Sequence, residues 1–221
     1  MGELDSGLWL GLDTATGVSA GVGRAGEILA SASVDQPNSH VEQLMPLVRQ
    51  VVREAGTRLA DLAGIVVGLG PGPYTGLRVA IVTAQSLAYL LDLPWKGVCS
   101  LDGLGLQHAA SHPAGPYLVA TDARRKEVYW ATYDQLGRRS DGPHVTRPAE
   151  LPVLPVVGPG ALRYPDSLPG GVSDAGLRLD AGLLAAQQHR LPSAGTVPLY
   201  LRRPDAEVPT RTKSTLPRRD P

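Results

Sequence analysis

The sequence predicts an α/β protein built as two lobes, and three observations predict it. Three strand-like runs, Leu8 to Asp13, Val18 to Gly23 and Glu27 to Val34, come before any helix. Gly64-Ile65-Val66-Val67-Gly68 then reads as a buried strand that passes through a glycine-proline loop directly into a long apolar helix. Finally, a strand ending in Asp, a tight turn and a returning strand occur once in each half. Leu10-Gly11-Leu12-Asp13 precedes Val18-Ser19-Ala20-Gly21-Val22, and Val119-Ala120-Thr121-Asp122 precedes Val128-Tyr129-Trp130-Ala131-Thr132. The echo predicts a duplicated architecture, each lobe opened by a hairpin with an aspartate at its mouth.

After the first three strands, Pro37-Asn38-Ser39 supplies cap chemistry for a helix from about His40 to Ala55, which Gly56 ends. Pro46 lies inside it and predicts a kink. The helix after the glycine-proline loop carries Leu77, Ala80, Ile81, Ala84, Leu87, Ala88 and Leu91 as one stripe, with Val79, Val82, Tyr89 and Leu90 on its remaining surface. That excess of apolar residues has two readings, burial between layers or a subunit interface, and both stay open at this point. Trp95 to Val98 reads as a strand and Leu101 to Ala110 as a helix, broken by Pro113-Ala114-Gly115-Pro116. Tyr117 to Ala120 and Glu127 to Tyr133 form the second hairpin around Asp122 to Lys126. Arg138 to Gly176 is rich in Pro and Gly, with one strand expected at Val153 to Val157. Asp180 caps a last helix running to about Arg190, and Thr196 to Leu201 leads into a proline-rich tail expected to be disordered.

Composition narrows the function classes. The chain has 221 residues, 43% apolar and without Phe, so its core is packed from Leu, Val and Ala. Lys plus Arg equals Asp plus Glu at 21 each, so no global field draws nucleic acid or an anionic membrane. Cys99 is the single cysteine, which excludes an intrachain disulfide and fits a reducing, cytoplasmic setting. Neither an export signal nor a membrane span is indicated, because the longest apolar stretch, Val79 to Leu91, is broken by Thr83, Gln85 and Ser86.

The loop Gly70-Pro71-Gly72-Pro73-Tyr74-Thr75-Gly76-Leu77-Arg78 has the layout of a backbone anion cradle, but its chemistry is poor for phosphate. No Lys or Ser/Thr follows Gly76, and the prolines at 71 and 73 remove two N–H donors. Gly70, Gly72, Thr75 and Gly76 are expected to shape the turn, and Arg78 to cap or pair beside it. A metal site is not expected. His108 and His112 have i, i+4 spacing, but Pro113 ends the helix there and no carboxylate completes the set, so a chance surface pair is expected. His40 is expected to be a cap or surface residue. No G-x-S-x-G elbow surrounds any serine, so nothing supports a peptidase.

Four segments, in order along the chain, carry a family resemblance: Leu12-Asp13-Thr14-Ala15-Thr16, the loop from Gly70 to Arg78, the hairpin Asp122-Ala123-Arg124-Arg125 with Glu127-Val128-Tyr129, and Pro198-Leu199-Tyr200-Leu201-Arg202. Together they resemble the TsaB (YeaZ) family over residues 8 to 203. The resemblance implies a two-lobed fold of the actin, sugar kinase and Hsp70 type, with βββα-type lobes of which the second is reduced. The expected boundaries are residues 8–104 for the first lobe, 105–201 for the second and 202–221 for the tail. It also implies a non-catalytic role in installing threonylcarbamoyl on the adenosine beside the tRNA anticodon, as partner of the metal-bearing TsaD, with TsaE as an ATPase binding the pair. Homodimerisation is implied when TsaD is absent, and tRNA is contacted through the complex. Where the metal-bearing paralogue has its His-x-x-x-His pair, this chain has Ser100 and Leu104, so no metal is expected in it. Two positions depart from the family: Pro73 stands where Ser is common, and Lys126 where Gly is common.

Three readings follow. The first is a scaffold pairing with TsaD through the two apolar helices of the first lobe, with Leu44, Val48, Val51, Ala80, Ala84 and Leu87 as packing or partner positions. The second is an ATPase or small-molecule kinase acting alone. Asp13, Thr14 and Thr16 would then be its nucleotide loop, but kinases of this type carry Asp-x-Gly-[Ser/Thr], and Ala15 replaces that glycine, so the loop reads as vestigial. No intrinsic cofactor is expected, and ATP or ADP shared at the interface with TsaD is the remaining possibility the resemblance allows. The third is RNA binding through residues 202 to 221, whose six basic and three acidic side chains make a small excess best read as a solvated tail.

Overall fold

The computed structural model describes residues 7–34, 40–111 and 115–202. Two five-stranded sheets organise it. The first comprises β1 (Trp9–Asp13), β2 (Val18–Arg24), β3 (Glu27–Val34), β4 (Gly64–Gly68) and β5 (Trp95–Val98), with α1 (His40–Glu54) after β3 and α2 (Tyr74–Leu91) after β4. Helix α3 (Ser100–Ser111) leads into the second sheet, made of β6 (Tyr117–Arg124), β7 (Glu127–Tyr133), β8 (Arg139–Thr146), β9 (Val156–Val157) and β10 (Val172–Asp174). Two short helices, α4 (Pro159–Arg163) and α5 (Ala181–Ala186), complete the order.

The first sheet runs β3-β2-β1-β4-β5 and the second, read from its other edge, β8-β7-β6-β9-β10. Pairing sense repeats as well. β1–β2 and β2–β3 are antiparallel while β1–β4 and β4–β5 are parallel, and β6, β7, β8, β9 and β10 follow the same pattern. This is the duplicated two-lobed fold that the hairpin echo predicts. The second lobe is the reduced one: a 3₁₀ turn, Pro148–Glu150, stands where the first lobe has α1, and the five residues of α4 stand where it has the eighteen of α2.

Helices α1 and α2 cover one face of the first sheet, burying Leu44, Val48, Val51, Ala80 and Ala84 against Leu10, Leu12, Val67 and their neighbours. The other face takes α5, which arrives from the far end of the second lobe. Its approach depends on glycine. A Cβ on Gly11 would lie 1.9 Å from the carbonyl oxygen of Ala181, and one on Gly21 2.4 Å from Gly182. Bare backbone on the strand therefore lets a small-residue helix lie directly on the sheet. Reciprocally, α3 follows the last strand of the first lobe yet packs on β6, β7 and β8. The expected lobe boundary between 104 and 105 falls inside α3, a single continuous helix.

Several expected elements differ. Strand β8 lies unmarked in the Pro- and Gly-rich segment, because its sequence, with Gly142 and Pro143, holds Val145 as its one large apolar residue. It is an edge strand, where proline and alternate exposure are tolerated. The strand expected at Val153 to Val157 shrinks to Val156–Val157, since Pro152 and Pro155 cannot donate to a ladder. Asp180 caps α5 as expected, its Oδ1 accepting from the Gly182 N–H at 2.7 Å, but the helix ends at Ala186 rather than near Arg190. Pro46 lies inside α1, which runs through it. No described helix is long and apolar enough to cross a membrane. The proline-rich tail and His112 lie outside the described residues.

Candidate functional site

Strand β1 delivers Asp13 to the junction of the two lobes, beside the loop that links β4 to α2. There the carboxylate is 2% exposed and both its oxygens are engaged within the chain. Oδ1 accepts from the Ala15 N–H at 2.8 Å, and Oδ2 accepts from the Ser100 hydroxyl at 2.5 Å. Ser100 Oγ in turn accepts from the Gly70 N–H at 3.2 Å, while the Ser100 N–H donates to the Gly70 carbonyl at 2.8 Å. Burial pushes the Asp13 carboxyl up to about 6, outweighing the opposing effect of its hydrogen bonds from Ser100 and Ala15. Gly68 permits the contact, because a Cβ there would stand 1.8 Å from Asp13 Oδ2 and 2.5 Å from Ser100 Oγ.

The same loop is closed on its other side. Thr14 is fully buried and donates to the Gly76 carbonyl at 2.7 Å, and Gly72 lies so close to Ala15 that a Cβ would meet its Cα at 2.9 Å. Around Asp13, Thr16 and Ser19 the remaining cavity is about 10 Å³, room for about one water. Small-ligand sites occupy roughly 300–1,000 Å³. Asp13 and Thr14, expected in a vestigial nucleotide loop, are buried and hydrogen-bonded within the chain, and Thr16 is exposed.

Gly70, with φ of 93°, lies in the turn, whereas Thr75 and Gly76 both fall in the first turn of α2, Thr75 exposed and Gly76 buried. Arg78 pairs rather than caps. Its guanidinium lies 3.8 Å from the centre of the Tyr74 ring, its Nε donates to the Tyr200 hydroxyl at 3.0 Å, and the Tyr74 and Tyr200 rings stack at 4.9 Å. Tyr200 belongs to a strap across both lobes. The Leu199 N–H donates to the Leu69 carbonyl at 2.8 Å, and Arg202 donates to the Ala123 carbonyl at 2.9 Å and pairs with Glu127. The sequence marked Pro198 to Arg202 as a motif without a role, and this strap is its role in the fold.

The second lobe repeats the aspartate turn in looser form. Asp122 Oδ1 accepts from the Arg124 N–H at 2.9 Å and from the Tyr164 hydroxyl at 3.3 Å. The hairpin beyond it holds Arg124, Arg125 and Lys126 at φ of 59°, 51° and 61°. Lys126, in a conformation that glycine adopts without a steric penalty, makes the family's preference for glycine there intelligible.

The expected partner positions need correction. Leu44, Val48, Val51, Ala80 and Ala84 are at most 1% exposed and Leu87 is 9% exposed, so all six belong to the core under α1 and α2. The outward side of α2 carries the excess apolar surface instead: Val82 is 58% exposed, Leu90 74% and Tyr89 88%. A shallow groove of about 520 Å³ runs beside it, lined by Met45, Tyr74, Arg78, Val79 and Val82. The inner side of α2 is thus buried against the sheet, and its outer side carries the surplus. His108 is also corrected. It is buried, its ring 4.5 Å from that of Tyr117, so it is no surface residue. Cys99 is buried with its thiol pushed up to about 12, which leaves it inert at neutral pH. The side chain of His40 lies outside the described residues.

Comparison with known proteins adds an independent line. A family model described as TsaD, tRNA N6-adenosine threonylcarbamoyltransferase, matches residues 28–167. An uncharacterized protein of Mycobacterium tuberculosis is 41% identical over 204 residues, covering 90% of this chain and 93% of that protein. The tRNA threonylcarbamoyladenosine biosynthesis protein TsaB of Escherichia coli is 37% identical over 99 residues, covering 45% of this chain and 43% of that protein. Among solved structures, YeaZ from Pseudomonas aeruginosa superposes with a TM-score of 0.74 at 29% identity, covering 88% of this chain and all of that one.

Proposed function

This chain belongs to the TsaD family, in its TsaB (YeaZ) branch, and from that premise we propose that it is a non-catalytic subunit of tRNA threonylcarbamoyladenosine biosynthesis that pairs with and activates a TsaD-type catalytic subunit. The observation that carries the proposal is the outward side of α2, where Val82, Tyr89 and Leu90 stand exposed above a stripe that is itself buried. A helix covering one face of a sheet needs no apolar residues on its far side, and large exposed apolar side chains there are suited to a protein partner. Two helices of one lobe, α1 and α2, then supply the interface, with Tyr89 as an aromatic anchor of the kind that dominates binding energy.

The closed cleft supports the non-catalytic part. Asp13 is held by Ser100 and Ala15, and Ala15 fills the approach that a phosphate would need, so an ATPase or kinase acting alone is disfavoured. We assign any nucleotide of the assembly, and the ATPase step given to TsaE, to surfaces outside this cleft. In the absence of TsaD the same apolar face is the one on which two copies would pair, and tRNA is met through the assembled complex.

The test is co-purification with the cognate TsaD, wild type beside Val82→Glu and Tyr89→Ala, followed by threonylcarbamoyl transfer to tRNA with and without this chain. The proposal expects the wild type to bind and to be needed for modification, and both variants to lose the partner while melting as the wild type does. A complex unaffected by Val82→Glu, or modification that proceeds without this chain, overturns it.

A further inference from the structure

A second concavity lies away from both the Asp13 loop and the α2 face. It is a cavity of about 660 Å³ bounded by α3, the turn between β7 and β8, and the segment after α5, and its size suits a small organic ligand. Three guanidinium groups line it. Arg139 is committed, its Nε 3.3 Å from Asp102 Oδ1, which also accepts from the Tyr133 hydroxyl at 2.9 Å. Arg138 and Arg190 are exposed, and among the described residues neither guanidinium has a hydrogen-bond or ion-pair partner. Asp102 neutralises one of the three charges, so the lining keeps two positive charges uncompensated. Leu106 and Leu191 add apolar wall between them.

Asp102 supplies an independent pointer to a ligand. It is 3% exposed, it lines this cavity, and its Oδ2 has no hydrogen-bond partner among the described residues. A buried carboxylate oxygen without a donor is costly unless something supplies one.

We propose that this cavity binds a phosphate monoester. Arg138 and Arg190 bind the phosphate dianion, whose charge matches theirs and whose oxygens suit the guanidinium fork. The body of the ester lies on Leu106 and Leu191, with a hydroxyl, where the body has one, directed to Asp102. Nothing in the proposed partner role requires this site.

The experiment is an amide NMR titration of the full chain with phenyl phosphate, ribose 5-phosphate and inorganic phosphate, reading Gly137 and Leu191. Saturable shifts with at least one ester are expected, stronger than with inorganic phosphate. Arg138→Gln and Arg190→Gln, both exposed and expected to melt as the wild type, should each weaken it about tenfold, the size expected for one charge-assisted contact. Arg163→Gln should leave it unchanged. Tighter binding of the ribose ester, lost in Asp102→Asn, adds the hydroxyl contact, whereas tighter binding of the phenyl ester assigns an apolar body. Absence of saturable shifts at millimolar ester, equal affinity for all three anions, or a double Arg138→Gln, Arg190→Gln variant that binds like the wild type overturns the proposal.

Discussion

Ser100 donates its hydroxyl to Asp13 across 87 positions of sequence, joining the end of the first strand to the start of the helix that enters the second lobe. The contact leaves neither carboxylate oxygen free and makes Asp13 a titrating structural group. Its carboxyl sits at about 6 when folded against an ordinary value near 3.8. The folded state therefore binds the proton more tightly, so protonation of Asp13 stabilises the fold at acid pH and this contribution is lost as pH rises through about 6. Two pKa units correspond to about 3 kcal/mol. Urea unfolding of the wild type and Asp13→Asn should diverge accordingly: the wild type's advantage shrinks between about pH 4 and pH 7. A difference between the two that is flat with pH refutes this account of Asp13.

Gly68→Ala tests the same contact sterically. The added Cβ would fall 1.8 Å from Asp13 Oδ2, so either the carboxylate or β4 must move. A loss of about 1–3 kcal/mol is expected by chemical denaturation. Ser100→Ala in the Gly68→Ala background should then cost less than Ser100→Ala alone, because the hydrogen bond is already disturbed.

Ala84→Glu and Val82→Glu separate core from surface on one helix. Ala84 is fully buried, and a carboxylate there lacks any partner, a change costing more than about 4 kcal/mol and expected to leave the chain unfolded. Val82 is more than half exposed, so its charge should shift thermal stability by no more than about 0.5 kcal/mol while removing partner binding. Circular dichroism melts decide the matter before any binding assay.

Lys126→Gly should stabilise. Lys126 holds φ of 61° at the tip of the β6–β7 hairpin, where a side chain costs about 1 kcal/mol relative to glycine. A gain of about 0.5–1 kcal/mol in unfolding free energy is the expected result. A loss would show that the lysine side chain makes a compensating contact.

The sequence made the elements of the first lobe and the duplicated hairpins legible because both rest on short-range signals: apolar runs, and Asp at a strand end followed by a tight turn. A further echo went unread. Val66-Val67-Gly68 before the first loop is matched by Val156-Val157-Gly158 before α4, and the proline-rich surroundings of the second copy masked it. Strand β8 was illegible because an edge strand with a solvated face needs no apolar pattern. The site was less legible than the fold. Which side of α2 is buried depends on the sheet beneath it, and an apolar stripe looks the same whether it faces a core or a partner, so the sequence leaves Ala80 and Ala84 as packing or partner positions and does not single out Val82 and Tyr89 as the exposed side. The bond from Ser100 to Asp13 is set by the parallel pairing of β1, β4 and β5, which no local window contains.

Each lobe lends its last helix to its neighbour, α3 lying on the second sheet and α5 on the first. A chain cut between α3 and β6 would give two halves, neither complete. The front half would carry a helix without its sheet and a glycine-paved strip on β1 and β2 left open to water. The back half would keep the helix that belongs in that strip. Such fragments should refold only when mixed, and the intact molecule should melt in one transition. Any hinge motion between the two lobes would have to lift a helix from its seat on the other lobe's sheet.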